Sequence, residues 1–206
     1  MVTSNKDLML QARKSLSGRW GLAVGTFFVY LLIMGGLGIL NYDFSSNGLK
    51  IVIGLIPLLL DGAFALGAAI FSLAIARNKD AKLEMIFYGF KYYSKTLGLS
   101  LLMTLFVLLW MLLLIVPGII AGISYSLAFY IMHDDPNIGA MEAIDKSKKM
   151  MYGYKWKFFC LHLRFIGWCL LGILSLGIGF LWIMPYISIS CAKFYDDVKA
   201  NSIEVQ

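Results

Sequence analysis

The chain has 206 residues, of which 60% are hydrophobic and only 15% charged, and its mean hydropathy is +0.77. A water-soluble domain of this length carries far more charge, so the composition excludes one and points to a polytopic membrane protein. The net charge of +6 comes from 18 Lys and Arg against 12 acids. These cations stand between apolar segments, where retention on the inner side of a membrane accounts for them, and no nucleic-acid partner is expected.

Met1 to Arg19 reads as a short amphipathic helix with Leu8, Ala12 and Leu16 at helical spacing and cations beside them, a pattern suited to the membrane interface. Trp20–Leu40 is the first expected span. It is a retained helix rather than a cleaved leader, because NYDFSSN after it lacks a small-x-small cleavage pattern. Gly21 and Gly25 form a small-xxx-small pair that would admit a close helix neighbour. A polar loop, Asn41–Lys50, leads to the second span, Ile51–Ala76, interrupted by Pro57 and Asp61. In Arg77–Thr96, Asn78 or Asp80 is expected to cap a helix whose apolar stripe is Leu83, Ile86, Phe87 and Phe90.

Leu97–Met132 holds about 36 residues without a charge; as one helix it would measure roughly 54 Å against a hydrocarbon core of about 30 Å. One crossing cannot use it all. A tight turn at Pro117-Gly118 divides it into spans at residues 97–116 and 119–132. Asp135 is expected to cap a helix over Pro136–Tyr152, with Pro136 at its first position. Phe158–Ala192 repeats the hairpin pattern: Gly177 and Gly179 mark the turn between spans at 158–176 and 180–192, followed by a polar tail.

Lys plus Arg number four before Trp20, one in Asn41–Lys50, five in Arg77–Thr96, five in His133–Lys157 and two from Lys193 onward, with none at either tight turn. Only six crossings put every strongly basic segment on one side. GRWG at Gly18, GFKYY at Gly89 and GYKWK at Gly153 then read as a divergent threefold repeat, the alternative being convergence on the same interface chemistry. The expected fold is an all-α membrane protein with six transmembrane helical segments as three hairpins. An amphipathic interfacial helix precedes each hairpin, and both termini are cytoplasmic.

LWMLLLIVPGII, SYSLAFYIMHDDP, EAIDKSKKMMYGYKWKFF and the run from FIGW to PYISISCAKFYDD resemble the signature of an uncharacterised bacterial membrane family, domain of unknown function 975. The resemblance covers nearly the whole chain. It implies a multi-pass protein of a bacterial, often Gram-positive, cell membrane, and it brings no catalytic residue, cofactor or substrate.

Among candidate sites, Asp61 is the strongest, because an intramembrane carboxylate serves by default as an ion or proton site or a counter-ion. Its bland reading is a wet turn after Pro57. Arg164, inside its own span, either snorkels to headgroups or pairs with Asp61 at a neighbouring depth. Arg19, Trp20, Lys91, Tyr92, Lys155 and Trp156 make an interfacial collar in which rings sit at headgroup level and cations reach phosphate. His133 with Asp134 and Asp135 hints at a metal, but the aspartates are accounted for by the helix cap. Cys160, Cys169 and Cys191 read as packed thiols, with no metal set or disulfide framework. No catalytic motif and no phosphate loop occurs, so neither an enzyme nor a cofactor is expected. The leading expectation is a non-enzymatic protein that organises membrane lipids or a membrane-protein partner. The alternative is a small transporter, or a component of one, working through Asp61.

Overall fold

The computed structural model describes residues 3–43 and 47–203, which contain helices and no strand. Helix α1 (Asn5–Leu16) begins at Ser4, whose hydroxyl accepts a hydrogen bond from the Asp7 amide at 3.2 Å. Its stripe of Leu8, Ala12 and Leu16 is buried against the protein, chiefly on the last helix, and not laid in the interface as the sequence suggested. Apolar burial is satisfied by either environment. Polar anchors decide between them: Thr3 donates to Asp197, and Asn5 donates to the Lys157 carbonyl at 2.8 Å. Gly18, at φ +75°, lets the chain bend by 97° into α2 (Trp20–Asp43). Gly21 and Gly25 have no neighbour within 4 Å, so the close helix contact expected of them is not made by this chain.

The polar loop expected at Asn41–Lys50 is mostly helical, since α2 runs to Asp43 and α3 (Asn47–Ala76) begins at Asn47; residues 44–46 lie outside the described residues. Helix α3 continues through Pro57 and is the central element, packing on α2, on three later elements of the chain and on the last helix. It ends on Asn78 at φ +53°, with Lys79 N–H donating to Ala74 O at 2.8 Å and Asn78 N–H to Ile75 O at 3.0 Å. Asn78 is thus the C-terminal stop of α3 and not the cap of the next helix.

That next element is a 3-10 helix, Leu83–Tyr92, with no side-chain cap. Its three-residue period puts Ile86 and Gly89 on one edge, both buried on α3, and leaves Phe87 and Phe90 half-exposed at the Phe64 ring. The stripe of four expected from an α-helix is divided for that reason. Gly89 also separates its repeat unit from the other two: Gly18 and Gly153 both take positive φ, +75° and +80°, whereas Gly89 serves close approach.

Helix α4 (Tyr93–Leu113) reverses at one extended residue, Leu114, into α5 (Ile115–Tyr125). The reversal therefore falls three residues before Pro117-Gly118. Pro117 lies in the first turn of α5, where backbone N–H groups lack helical partners anyway and its missing donor costs little. Gly118 lets Met111 close on the helix, with its Cα 3.0 Å from where a Cβ would be. Phe106 meets Tyr125 at 6.3 Å, and Lys95 donates to Pro136 O at 2.7 Å, so the two arms stay in antiparallel register.

Between α5 and α6 (Ala128–Asp134) the helix breaks at Ser126-Leu127. Buried Ser147 repairs the break, donating to Ser124 O at 2.7 Å and accepting from Leu127 N–H at 3.3 Å. Asp135 does not cap a helix at Pro136; its carboxylate accepts a hydrogen bond from the Asn137 amide at 3.2 Å, and α7 (Ala140–Met150) starts after Gly139. Its apolar residue Ile144, with Ile138 before it and Met151 after it, is buried in the protein, again away from the expected interface.

Helix α8 (Lys155–Leu174) turns through Ser175–Gly179, with Leu176 at φ +55° and Gly177 at +90°, into α9 (Phe180–Ile203). The polar tail expected after Ala192 is the second half of this continuous helix. Among the described residues, four stretches are long and apolar enough to cross a membrane: Gly54–Ala76, Leu83–Leu113, Ile115–Asp134 and Lys155–Leu174. The bent pair Asn5–Leu16 and Trp20–Gly36 makes a fifth if taken as one span. The last helix is not among them, since Lys193, Asp196, Asp197 and Lys199 occupy its second half. Six spans in three hairpins is thus more than the helices by themselves define. At the reversals, Leu112 is 88% and Leu176 94% exposed amid other bare aliphatic side chains, an apolar surface that water would not tolerate on a monomer.

Candidate functional site

The α4–α5 and α8–α9 reversals are apolar, and the ion pairs lie among the opposite ends of the helices and the connections there. Arg77, just past α3, donates from both terminal nitrogens to Asp134 at 2.9 and 3.0 Å, and from Nε and Nη2 to Asp196 at 3.1 and 2.7 Å. Asp134 also accepts from the Tyr195 hydroxyl at 2.9 Å and from Lys199. The Tyr195 ring stacks on Tyr130 at 5.4 Å. One guanidinium therefore ties the ends of α3, α6 and α9 together with the planar two-pronged geometry that suits arginine. The hydrogen bonds from Arg77 to Asp134 and then to Asp196 hold its pKa above the usual value, so it stays charged. Lys193 on α9 caps the Ala76 carbonyl at the end of α3, and Arg19 donates to Lys79 O at 2.9 Å.

A second knot centres on Asp197, which accepts hydrogen bonds from the Thr3 amide at 3.1 Å, the Thr3 hydroxyl at 2.6 Å and Lys157 Nζ at 2.9 Å. Burial acts to raise the Asp197 pKa, but the Thr3 hydroxyl, Lys157 and the Thr3 amide together outweigh it and hold the carboxyl below its ordinary value. Because the folded value is the lower one, this contribution is complete above the ordinary carboxylate range and disappears as the pH falls through the depressed value. Acidification below about pH 4 should therefore loosen α1 before the rest of the bundle. Hydrogen exchange at residues 5–16 would show it. Asp197→Asn should give the same loosening at neutral pH, at a cost of about 2 kcal/mol.

These knots were not legible beforehand, because Asp134 reads naturally as half of a helix cap and Asp196 and Asp197 as part of a polar tail. The available signal was the run KFYDDVK, whose charges and buried Tyr195 and Val198 recur at helical spacing.

Asp61 is exposed on α3 and accepts a hydrogen bond from Ser100 at 3.1 Å. Measured along α4, Ser100 stands five residues, about 7.5 Å, from Lys95, whose ammonium meets Pro136 O. Arg164 is exposed on α8, and no ion pair brings it to Asp61. The two helices both pack on α9 but are not packed on one another, α3 lying besides on α2, α4 and α6, and α8 on α5. Of the collar residues, Trp20 is half-buried beside Tyr186 at 6.4 Å, Lys155 is half-buried, and Lys91, Tyr92 and Trp156 are exposed.

His162 holds Nδ1 3.1 Å from the Phe158 carbonyl, and its Nε2 lies 3.9 Å from Cys191 Sγ. That pair packs a buried thiol against a ring, with the Phe158 face on the other side at 4.5 Å. Cys160 and Cys169 are half-buried and, like Cys191, free. Among the described residues no group of three His, Cys, Asp or Glu side chains is placed to hold a metal ion.

A family model, protein of unknown function DUF975, matches residues 1–121 and 111–202. The chain belongs to that family. No curated protein and no solved structure matches it.

Proposed function

We propose that this is a multi-pass protein of a bacterial cell membrane with both termini in the cytoplasm, α2 and α9 joining the four candidate spans to make six crossings. It works without catalysis, organising lipids or serving as accessory to a membrane partner through its charged end. The observation that supports this reading is the polarity of the molecule: exposed Lys6, Lys14, Lys82, Lys91, Lys146 and Lys149 lie in the segments at one end, whereas the α4–α5 and α8–α9 reversals carry no charge and the Asn41–Lys50 connection only one acid and one lysine. Basic residues at a membrane surface attract anionic headgroups and acidic protein segments.

Affinity purification from native membranes with the surrounding lipid retained tests it. A stoichiometric protein partner, lost on Lys146→Gln/Lys149→Gln, is the expected result. A second reading, a small ion-coupled carrier, is favoured by the Asp61 carboxylate, whose one hydrogen bond among the described residues comes from the Ser100 hydroxyl within an apolar stretch. Ion flux in reconstituted vesicles that is abolished by Asp61→Asn, with no partner recovered, would replace the first reading with the second.

A further inference from the structure

Beside the α7–α8 corner lies a cleft of about 390 Å³, within the size range of small-molecule sites. Its long wall is α5 from Pro117 to Ser124, about 10 Å of helix. Toward the hairpin tip the lining is Trp110, Pro117, Ile120 and Ala121, all apolar. Toward the charged end it is Ser124, Lys148, Tyr152 and Lys155. Lys148 is held at the cleft by the buried Tyr125 ring, with Nζ 5.6 Å from its centroid. Its other partner is Asp145 at 3.2 Å, an exposed pair of the kind that contributes little and yields easily to a stronger anion. Lys155 makes no hydrogen bond or ion pair among the described residues.

The geometry points to this cleft as a binding site for one anionic phospholipid of the leaflet facing the charged end. An acyl chain lies along Ile120 and Trp110, and the phosphate sits between Lys148 and Lys155 with the Tyr152 hydroxyl in reach. Three things favour that occupant over a soluble anion or a protein helix. The apolar half is continuous with the bare aliphatic surface of the α4–α5 hairpin, so a lipid chain enters sideways without leaving the hydrocarbon. The cationic half lies at the end where headgroups are, and two lysines complement one phosphate. The same corner also occurs a second time in the chain. Arg13 and Lys148 each stand five residues before a glycine of positive φ, Gly18 and Gly153, and Arg13 also lines a cleft, with Lys14 and Trp20, of about 380 Å³. A repeated unit that twice sets a cation against a cleft at the start of a long helix has a common purpose there.

This assignment rests on the membrane reading above and names the lipid chemistry of the charged end. Native mass spectrometry of the full-length protein in mild detergent tests it, with phosphatidylglycerol and phosphatidylcholine of matched chains added in turn. Phosphatidylglycerol should be retained at about tenfold lower concentration. Lys148→Gln/Lys155→Gln should erase that preference, whereas Lys82→Gln/Lys91→Gln, which removes the same charge elsewhere, should keep it. Ile120→Trp, which fills the apolar half, should weaken both lipids. Equal losses in the two double variants would overturn the site in favour of diffuse attraction. Binding of glycerol phosphate as tight as that of the lipid would overturn the lipid in favour of a soluble anion. A protein partner that still co-purifies with Lys148→Gln/Lys155→Gln would leave the accessory reading standing whether or not the lipid site holds, so the two fail separately.

Discussion

Gly67→Ala should prevent accumulation of the folded protein, and Gly98→Ala should not. A Cβ at Gly67 would overlap the Ile86 carbonyl oxygen and lie 2.5 Å from its carbon, and both of those atoms are backbone. Gly89 presents the reciprocal case against the Ala63 carbonyl, and Gly62 against that of Thr96. Glycines thus let α3 run in backbone contact with the 3-10 helix and the start of α4, the approach that replaces a hydrophobic driving force between helices in lipid. No rotamer change relieves such a clash. The 3-10 helix would have to lift from α3, undoing the burial of Ile86 and the rings at Phe64. A loss of about 3 kcal/mol or more is expected, a large share of the total stability of many domains. Gly98 has nothing within 4 Å, so alanine there should be neutral or stabilise by roughly 0.5–1 kcal/mol through helix propensity. Yields and detergent melting curves of the two variants, compared directly, decide the point. Equal behaviour would mean that the 3-10 helix does not lie on α3.

Arg77→Gln should destabilise by about 2–3 kcal/mol, less than the loss of a fully buried pair because the side chains of Arg77, Asp134 and Asp196 remain 25%, 15% and 30% exposed. The substitution strands two carboxylates facing one another with Lys199 as the remaining cation at Asp134. Arg77→Lys should recover part of the loss, keeping the charge without the two-pronged fork. Asp134→Asn should cost less than Arg77→Gln, since it leaves Arg77 paired with Asp196. Melting midpoints in one detergent at one salt concentration would order the three variants. If Arg77→Gln melts with the wild type, the knot does not hold α3, α6 and α9 together.

The long apolar runs and the charge-free breaks within them were readable because hydrocarbon thickness limits how far one helix can go. The positions of the reversals were less so. Pro117-Gly118 looks like the turn, yet proline is also at home in a first helical turn and glycine in a close helix contact, and the chain uses both in those ways. Amphipathic stripes in α1 and α7 were visible, but a stripe reports only that a face avoids water. Whether lipid or protein covers it depends on distant residues such as Asp197, which no local pattern reveals. For the same reason Asp134 and Asp196 look like capping and tail residues, and a pairing of Asp61 with Arg164 requires α3 and α8 to be packed together, whereas the two helices meet chiefly through α9. The period of three in Leu83–Tyr92 was hidden because Leu83, Ile86, Phe87 and Phe90 also satisfy an α-helical stripe.

The bare reversals at Leu112–Val116 and Leu174–Ile178 have one more implication. On the proposed topology both lie at the outer surface and offer little to grip, with no charge at either and Ser175 as their only polar side chain, which leaves the Asn41–Lys50 connection, with Asp43 and Lys50, as the charged feature of that side. Amine reagents added to intact cells should therefore label the protein at Lys50 and at neither of these two reversals.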